Sequence, residues 1–131
     1  MPDARERHEY KASLRVFSEL VLADLVAALG EPDHGYDIGD PVGRRPDGPR
    51  RAVSHWSLHS RTERTRPLDE HVAELVTFVE GHRREFEELK ADVDIFCGVF
   101  TADDAQGGFT FTADLMQRLA ELGLEVGFDL Y

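Results

Sequence analysis

Residues 93–100 read VDIFCGVF, and this run decides the fold because almost every position in it is apolar. Its length and its content of β-branched and aromatic residues favour a buried strand over a helix. Successive side chains of a strand point to opposite faces, so the run divides into two sets. One set holds Val93, Ile95, Cys97 and Val99, and the other holds Asp94, Phe96, Gly98 and Phe100. We therefore predict that residues 93–100 form a central strand.

Four further strands are predicted from period-two alternation or from short apolar runs bounded by turn residues. They cover residues 12–17, 53–60, 109–111 and 124–130. The polar segment that separates residues 93–100 from residues 109–111 ends in Gly-Gly, which predicts a hairpin between these two strands.

Helical periodicity separates the other strands. The apolar stripe that begins at Leu22 is stopped by Gly30. A second stripe begins after Pro67 and is interrupted by Gly81, which predicts two consecutive helices. Thr112 is predicted to cap a last helix, and Gly123 to end it.

The resulting order is β-α-β-α(α)-β-β-α-β, and its later elements match the split βαβ pattern of ferredoxin-like domains. We predict an α+β fold with a five-stranded mixed or antiparallel sheet, helices on one face, and a β-α unit before the ferredoxin-like part. A chain of 131 residues has the size of one domain. We assign that domain to residues 12–131 and a polar tail to residues 1–11.

Composition excludes several classes of protein. No apolar stretch has the length of a secretory signal or a membrane span, so we expect a protein of the cytoplasm. The single cysteine cannot form an internal disulfide, which fits a reducing compartment. The net charge of −11 disfavours nucleic acid as a partner, because an acidic protein repels phosphates.

Residues 31–51 form a predicted long irregular loop rich in proline and glycine, of the kind that is usually functional or disordered. This loop begins a basic segment in a chain that is otherwise acidic. Arg44, Arg45, Arg50 and Arg51 could grip a phosphate or a carboxylate. We favour the other interpretation, in which these arginines fold back onto the acidic helices of the same chain.

Several runs resemble those of a bacterial family, domain-of-unknown-function family 4279. They are ASLRVF (12–17), HWSLHS (55–60), VDIFCGVF (93–100) and QGGFTFTADLMQRLAELGLEVGFDLY (106–131). The resemblance covers residues 12–131 and implies a fold type and a bacterial origin. It implies no catalytic residues and no cofactor.

The residues themselves encode no recognisable reaction. No nucleophile elbow, P-loop or dinucleotide-binding motif occurs, and the histidine spacing matches no zinc signature, so we expect neither metal nor cofactor. His55 and His59 share a face, but about 13 Å of strand separates them, too far to hold one ion. Cys97 is expected to be inert packing, because apolar burial raises the pKa of a thiol.

The face of the sheet opposite the helices carries the candidate site. It is predicted to present Arg15, Phe17, His55, His59, Asp94, Phe96, Phe100, Asp129 and Tyr131. Rings with interleaved charges are typical of binding and self-association surfaces. The alternative is that the loop of residues 31–51 covers these rings as a lid.

Two functions remain open. The first is a non-enzymatic interaction domain that holds a protein partner or a second copy of itself on the open face, framed by Arg44 and Arg45. The second is a site for a small anionic molecule, or a small enzyme, between the basic loop and the sheet. In that case His55, His59 and Asp94 would act as acid–base groups.

Overall fold

The computed structural model describes residues 8–101 and 108–131, which contain five strands and four helices. Their bounds are β1 (His8–Ser18), α1 (Leu22–Leu29), β2 (His34–Tyr36), β3 (Ser54–His59), α2 (Leu68–Gly81), α3 (Arg83–Glu88), β4 (Ala91–Thr101), α4 (Ala113–Glu121) and β5 (Glu125–Leu130). The long central run therefore forms β4, as its apolar pattern predicts.

The strands form one mixed sheet in the order β2-β3-β1-β4-β5. β1 pairs antiparallel with both β3 and β4, β2 pairs antiparallel with β3, and β4 pairs parallel with β5. The predicted α+β class and the five-stranded mixed sheet are confirmed. The ferredoxin-like detail is not, because β4 and β5 are direct neighbours joined through α4, so their βαβ unit is not split.

The helices pack on one face of the sheet and close a single core. The register places Leu14 of β1 between Leu58 of β3 and Ile95 of β4 on that face. Trp56 is fully buried there, and its indole N–H donates to the carbonyl of Gly30 over 2.8 Å. The helices contribute Leu25, Leu29, Leu68, Val72, Leu75, Val76, Val79, Leu115 and Leu119.

The predicted helix boundaries are confirmed where glycine or a cap sets them. Gly30 ends α1 with φ of 95°, a left-handed value that glycine adopts without strain. Gly81 is the last residue of α2, and α3 begins at Arg83, so the stripe is broken into two helices. At α4 the Thr112 hydroxyl accepts a hydrogen bond from the backbone N–H of Leu115 over 3.1 Å.

Two predictions about strands are wrong. Residues 109–111 are not a strand, and β2 is the fifth strand instead. β1 begins at His8, so residues 8–11 belong to the sheet and not to a tail, because β4 is long enough to pair with them. Residues 1–7 of the predicted tail and residues 102–107 of the predicted hairpin loop lie outside the described residues.

The loop of residues 31–51 is partly ordered by its own hydrogen bonds. Asp37 joins the base of the loop to α1 and β3. Its carboxylate accepts hydrogen bonds from the backbone N–H of Leu22 and from the hydroxyl of Ser54. A bridge between Pro41 and Arg50 then closes a short ribbon. Most side chains of that ribbon are exposed. Only the base of the loop reaches the open face, where Tyr36 packs on His55 and the Arg51 guanidinium lies over Tyr36.

Candidate functional site

The strand registers place eight of the nine positions proposed for the site on the sheet face opposite the helices, and the stacking of Tyr131 on Phe100 places the ninth there. Directly opposed residues share a face, and the pairs on this face include Phe17 with His55 and Arg15 with Asp94. Further along, Ser13 lies between His59 of β3 and Phe96 of β4. We call this surface the open face.

Arg15 organises the middle of the open face. Its guanidinium makes a bidentate ion pair with Asp94, with nitrogen–oxygen distances of 2.8 and 2.7 Å. The same group lies 4.5 Å from the ring centroid of Phe96 and 5.5 Å from that of Phe17. The hydrogen bonds to Asp94 raise the pKa of Arg15. Arg15 is therefore a neutralised, stacked group and not a free anion receptor.

A second aromatic group lies near the Tyr131 end of β5. The rings of Phe100 and Tyr131 stack at 4.6 Å with an interplanar angle of 4°, and the Lys11 ammonium lies 5.6 Å from the Phe100 centroid. A hydrogen bond to Asp129 raises the pKa of the Tyr131 hydroxyl. Tyr131 is 61% exposed, so this group offers an aromatic surface to solvent.

His55 lies at the opposite end of the open face and is buried. Phe17, Tyr36 and His34 surround its ring at centroid distances of 4.7, 5.2 and 5.8 Å. The Arg51 guanidinium covers Tyr36 at 4.1 Å. Burial lowers the pKa of His55, and the neighbouring His34 and Arg15 lower it further. This histidine is therefore neutral packing at neutral pH.

The proposed acid–base set is not brought together. His59 is exposed, and its Nδ1 lies 2.7 Å from the hydroxyl oxygen of Ser13. It borders a cavity of 290 Å³ that His55 does not line. None of the five best-formed cavities of the described chain touches both histidines. Asp94 is committed to Arg15, so these three residues share no space in which a substrate would meet them.

The β4–β5 side of the open face is acidic. The register places Glu125 beside Asp94, Asp129 beside Gly98, and Asp92 opposite Phe17. Asp94 pairs with Arg15, whereas no residue of the described chain forms an ion pair with Asp92, Glu125 or Asp129. Among the described residues, three carboxylates on this side of the face therefore have no cationic partner, and the local potential they create is negative.

The favoured interpretation of the loop arginines is wrong for the part of the chain that the structure describes. Arg44 and Arg45 are exposed, and no described residue forms an ion pair with Arg44, Arg45, Arg50 or Arg51. The Pro41–Arg50 bridge pairs the ribbon with itself, so its backbone is ordered without contacts from these arginines to acidic side chains. The best-formed cavities in the described residues include none lined by Arg44 or Arg45.

A buried serine–histidine pair was missed by the sequence reasoning. The hydroxyl oxygen of Ser60 lies 2.7 Å from Nδ1 of His71, which burial keeps at a lowered pKa. Nucleophilic catalysis would also need free backbone donors for an oxyanion. The N–H groups of Arg61 and Thr62 are occupied by the Glu74 carboxylate at 2.7 and 2.8 Å. The pair therefore fastens α2 to the end of β3.

Cys97 does not form a catalytic centre, and the acidic side chains of the described residues do not form a metal site. Cys97 is buried, and burial raises the pKa of its thiol to about 12, which removes it as a nucleophile. Among residues 8–101 and 108–131 no group of three or more His, Cys, Asp and Glu side chains has the geometry to hold a metal ion. Over the same residues no helix has the length and apolar character that a membrane span requires.

A family model described as "Domain of unknown function (DUF4279)" matches residues 8–131. The chain belongs to this family. Comparison of the DUF4279 chain with curated proteins and with solved structures gives no match.

The signal for the acidic side of this DUF4279 sheet is long-range pairing. Alternation assigns Asp94, Glu125 and Asp129 to the outward set, but only Asp94 and Asp129 were counted in the candidate site. The strand pairing places Glu125 beside Asp94 and Asp92 opposite Phe17 on the same face. The pairing adds two carboxylates to a set that the sequence described mainly by its rings.

Proposed function

We propose that this protein is a binding domain that holds a basic segment of a protein partner on the acidic, aromatic side of its open face. The observation that carries this proposal is the set of three carboxylates, Asp92, Glu125 and Asp129, that pair with no cation of the described residues. They lie on the β4–β5 side of the open face, which also carries Phe96 and Phe100 and which no helix of the described chain covers. Partners with lysine and arginine complement both features, because cations pair with carboxylates and pack over rings.

The charge of the whole chain supports the same class of partner. A net charge of −11 attracts a basic segment over the distance of a Debye length and raises its association rate. The local carboxylates of Glu125 and Asp129 then give the encounter a specific place on the sheet.

Chemistry on a small molecule is less well supported by the same geometry. His55 is buried, Asp94 is paired with Arg15, and the Cys97 thiol has a pKa of about 12. Arg44 and Arg45 are exposed and line none of the best-formed cavities of the described chain. A binding face therefore explains more of these positions than an active site does.

The experiment uses a short fluorescent peptide in which lysine and valine alternate, and nuclear magnetic resonance of the labelled protein. We expect the shift changes to concentrate at Phe96, Phe100 and Asp129. The double variant Glu125→Lys/Asp129→Lys should weaken binding by about tenfold or more at low salt.

The matched control is Glu87→Lys/Glu121→Lys, which changes the net charge by the same amount on exposed positions of α3 and α4. It should retain most of the affinity. A peptide with glutamine in place of lysine should not bind. Equal weakening by both double variants would show that only total charge matters and would contradict a site on the open face.

A further inference from the structure

We propose that the partner segment binds as an added strand, hydrogen-bonded along the free edge of β5. This inference rests on the proposed function and states how the basic segment is held. Besides the side chains of the open face, the backbone N–H and C=O groups of Val126, Phe128 and Leu130 would then bind the partner.

The backbone groups of β5 divide between its two sides. The N–H of Tyr131 donates to the carbonyl of Val99, and the carbonyl of Tyr131 accepts from the N–H of Thr101. Tyr131 therefore points both groups toward β4. Because these directions alternate along a strand, Glu125, Gly127 and Asp129 also point toward β4. The N–H and C=O groups of the intervening residues, Val126, Phe128 and Leu130, point away from the sheet.

These outward groups have no hydrogen-bond partner among the described residues. β5 contains no proline and no basic side chain, and every residue after Gly127 is exposed. Natural sheets usually protect an edge with a short strand, a proline, charged side chains or a covering element. The charged side chains of β5, Glu125 and Asp129, are both acidic, so they disfavour an acidic strand and not a basic one. Among the described residues no strand or helix covers this edge, and extended peptides bind such edges by β-strand addition.

The side chains beside this edge specify what the added strand carries. On the helix side, Phe128 and Leu130 are 42% and 71% exposed, and Phe109 stacks on Phe128 at 5.0 Å. On the open face the neighbouring positions are Glu125 and Asp129. A strand that alternates apolar and basic residues fits both sides at once, because its side chains alternate with the same period.

A second copy of this chain fits the edge poorly. In an antiparallel pairing of two β5 strands, Glu125 and Asp129 of both copies would share the open-face side of the seam at opposite or diagonal positions. Like charges there are destabilising. Each copy would also bring a net charge of −11. A basic segment removes both penalties, so we infer a heterologous partner strand.

The test separates backbone pairing from charge with N-methylated versions of the alternating lysine–valine peptide. In antiparallel addition the valines lie opposite Val126, Phe128 and Leu130, and their N–H groups point toward β5. Methylating the valine nitrogens removes these donors, whereas methylating the lysine nitrogens leaves them and keeps the charge and methyl count the same. We expect the first peptide to bind about tenfold or more weakly than the second.

Two measurements on the protein support the peptide series. On binding, amide exchange should slow at Val126, Phe128 and Leu130 more than at Gly127 and Asp129, which already bond β4. Leu130→Pro removes one outward donor at an exposed position and should weaken binding, whereas Leu130→Thr keeps the donor and should weaken it less.

Each outcome decides the inference. Loss confined to one N-methylated set supports strand addition, antiparallel for valine and parallel for lysine. If both methylated peptides bind as tightly as the parent while Glu125→Lys still weakens all three, the face proposal stands and strand addition is overturned. If the parent peptide does not bind at all, both proposals are overturned.

Discussion

β2 and β5 are the two edges of one sheet, and they are built in opposite ways. β2 has three residues, lies between Pro32 and Pro41, and carries Tyr36 beneath the Arg51 guanidinium. β5 has six residues, includes no proline, and leaves Phe128 and Leu130 exposed. Short, proline-flanked and covered edges resist pairing with other chains, whereas a longer uncovered edge permits it. This contrast supports the proposal that a partner pairs with the β5 edge and not with the β2 edge, which we call the closed edge.

The strongest test of the closed edge is Gly35→Ala in β2. A Cβ atom there would lie 2.8 Å from the backbone oxygen of His55, and backbone cannot move aside as a side chain does. We expect the free energy of unfolding to fall by about 2–3 kcal/mol, measured by urea denaturation. A loss below about 0.5 kcal/mol would contradict tight packing of β2 on β3.

Removing the anchor beneath the closed edge should cost nearly as much. Trp56→Phe leaves the Gly30 carbonyl without its 2.8 Å hydrogen bond and opens a gap in the core. We expect a loss of about 2 kcal/mol in the free energy of unfolding. The control Phe128→Leu changes an aromatic of β5 that is 42% exposed and should cost under about 1 kcal/mol. Equal losses would show that the edges are packed alike.

Acid should loosen the closed edge first. The pKa of His55 is lowered in the folded state, so the unfolded chain takes up a proton at higher pH than the folded chain does. Its contribution to stability is therefore present above about pH 6.5 and is lost as the pH falls through the lowered value, by at most about 1.4 kcal/mol per pH unit. Protection of the β2 amides should fall in this range before that of β4.

The control for acid sensitivity is His55→Phe, which keeps a ring between Phe17 and Tyr36 but cannot titrate. The buried His71 has a lowered pKa in both proteins, so the difference between them isolates His55. An unchanged dependence of the unfolding free energy on pH would rule out His55 as a source.

The smallest effect is expected for Gly127→Ala on the open edge, the partner of the Gly35 experiment. A Cβ atom at Gly127 would lie 3.2 Å from a ring atom of Phe96, and that half-buried ring has room to shift. Alanine also restricts the unfolded chain, which offsets part of the cost. We expect a change within about 1 kcal/mol by urea denaturation. A larger loss would mean that Phe96 is held rigidly by Arg15.

Local patterns predicted the faces and the helix ends. Leu14 and Val16 alternate with Arg15 and Phe17, and this alone separates the core side from the open face. Thr112 and Gly123 carry their own backbone preferences, so the limits of α4 follow from nearby residues. Such features need no knowledge of distant strands.

Pairing between distant segments could not be predicted in the same way. β2 has only three residues, and its central Gly35 is a poor strand former, so pairing with β3 and not local propensity orders it. Conversely, Phe109 and Phe111 have strand-like composition, but their rings pack on Phe128 instead of joining a ladder. For the same reason the acidic β4–β5 side of the open face could not be predicted, because Glu125 and Asp94 become neighbours only through the parallel register.

The buried thiol of Cys97 also gives this molecule a built-in probe of core opening. It is the only cysteine of the chain and lies at the centre of the sheet, where an alkylating reagent cannot reach it in the closed state. The rate of labelling by a maleimide therefore reports how often the core opens, without any engineered probe. A ligand that holds β5 against β4 would make opening of the core rarer. The rate of Cys97 labelling would then fall, and the size of the decrease would report how strongly the ligand stabilises the closed sheet.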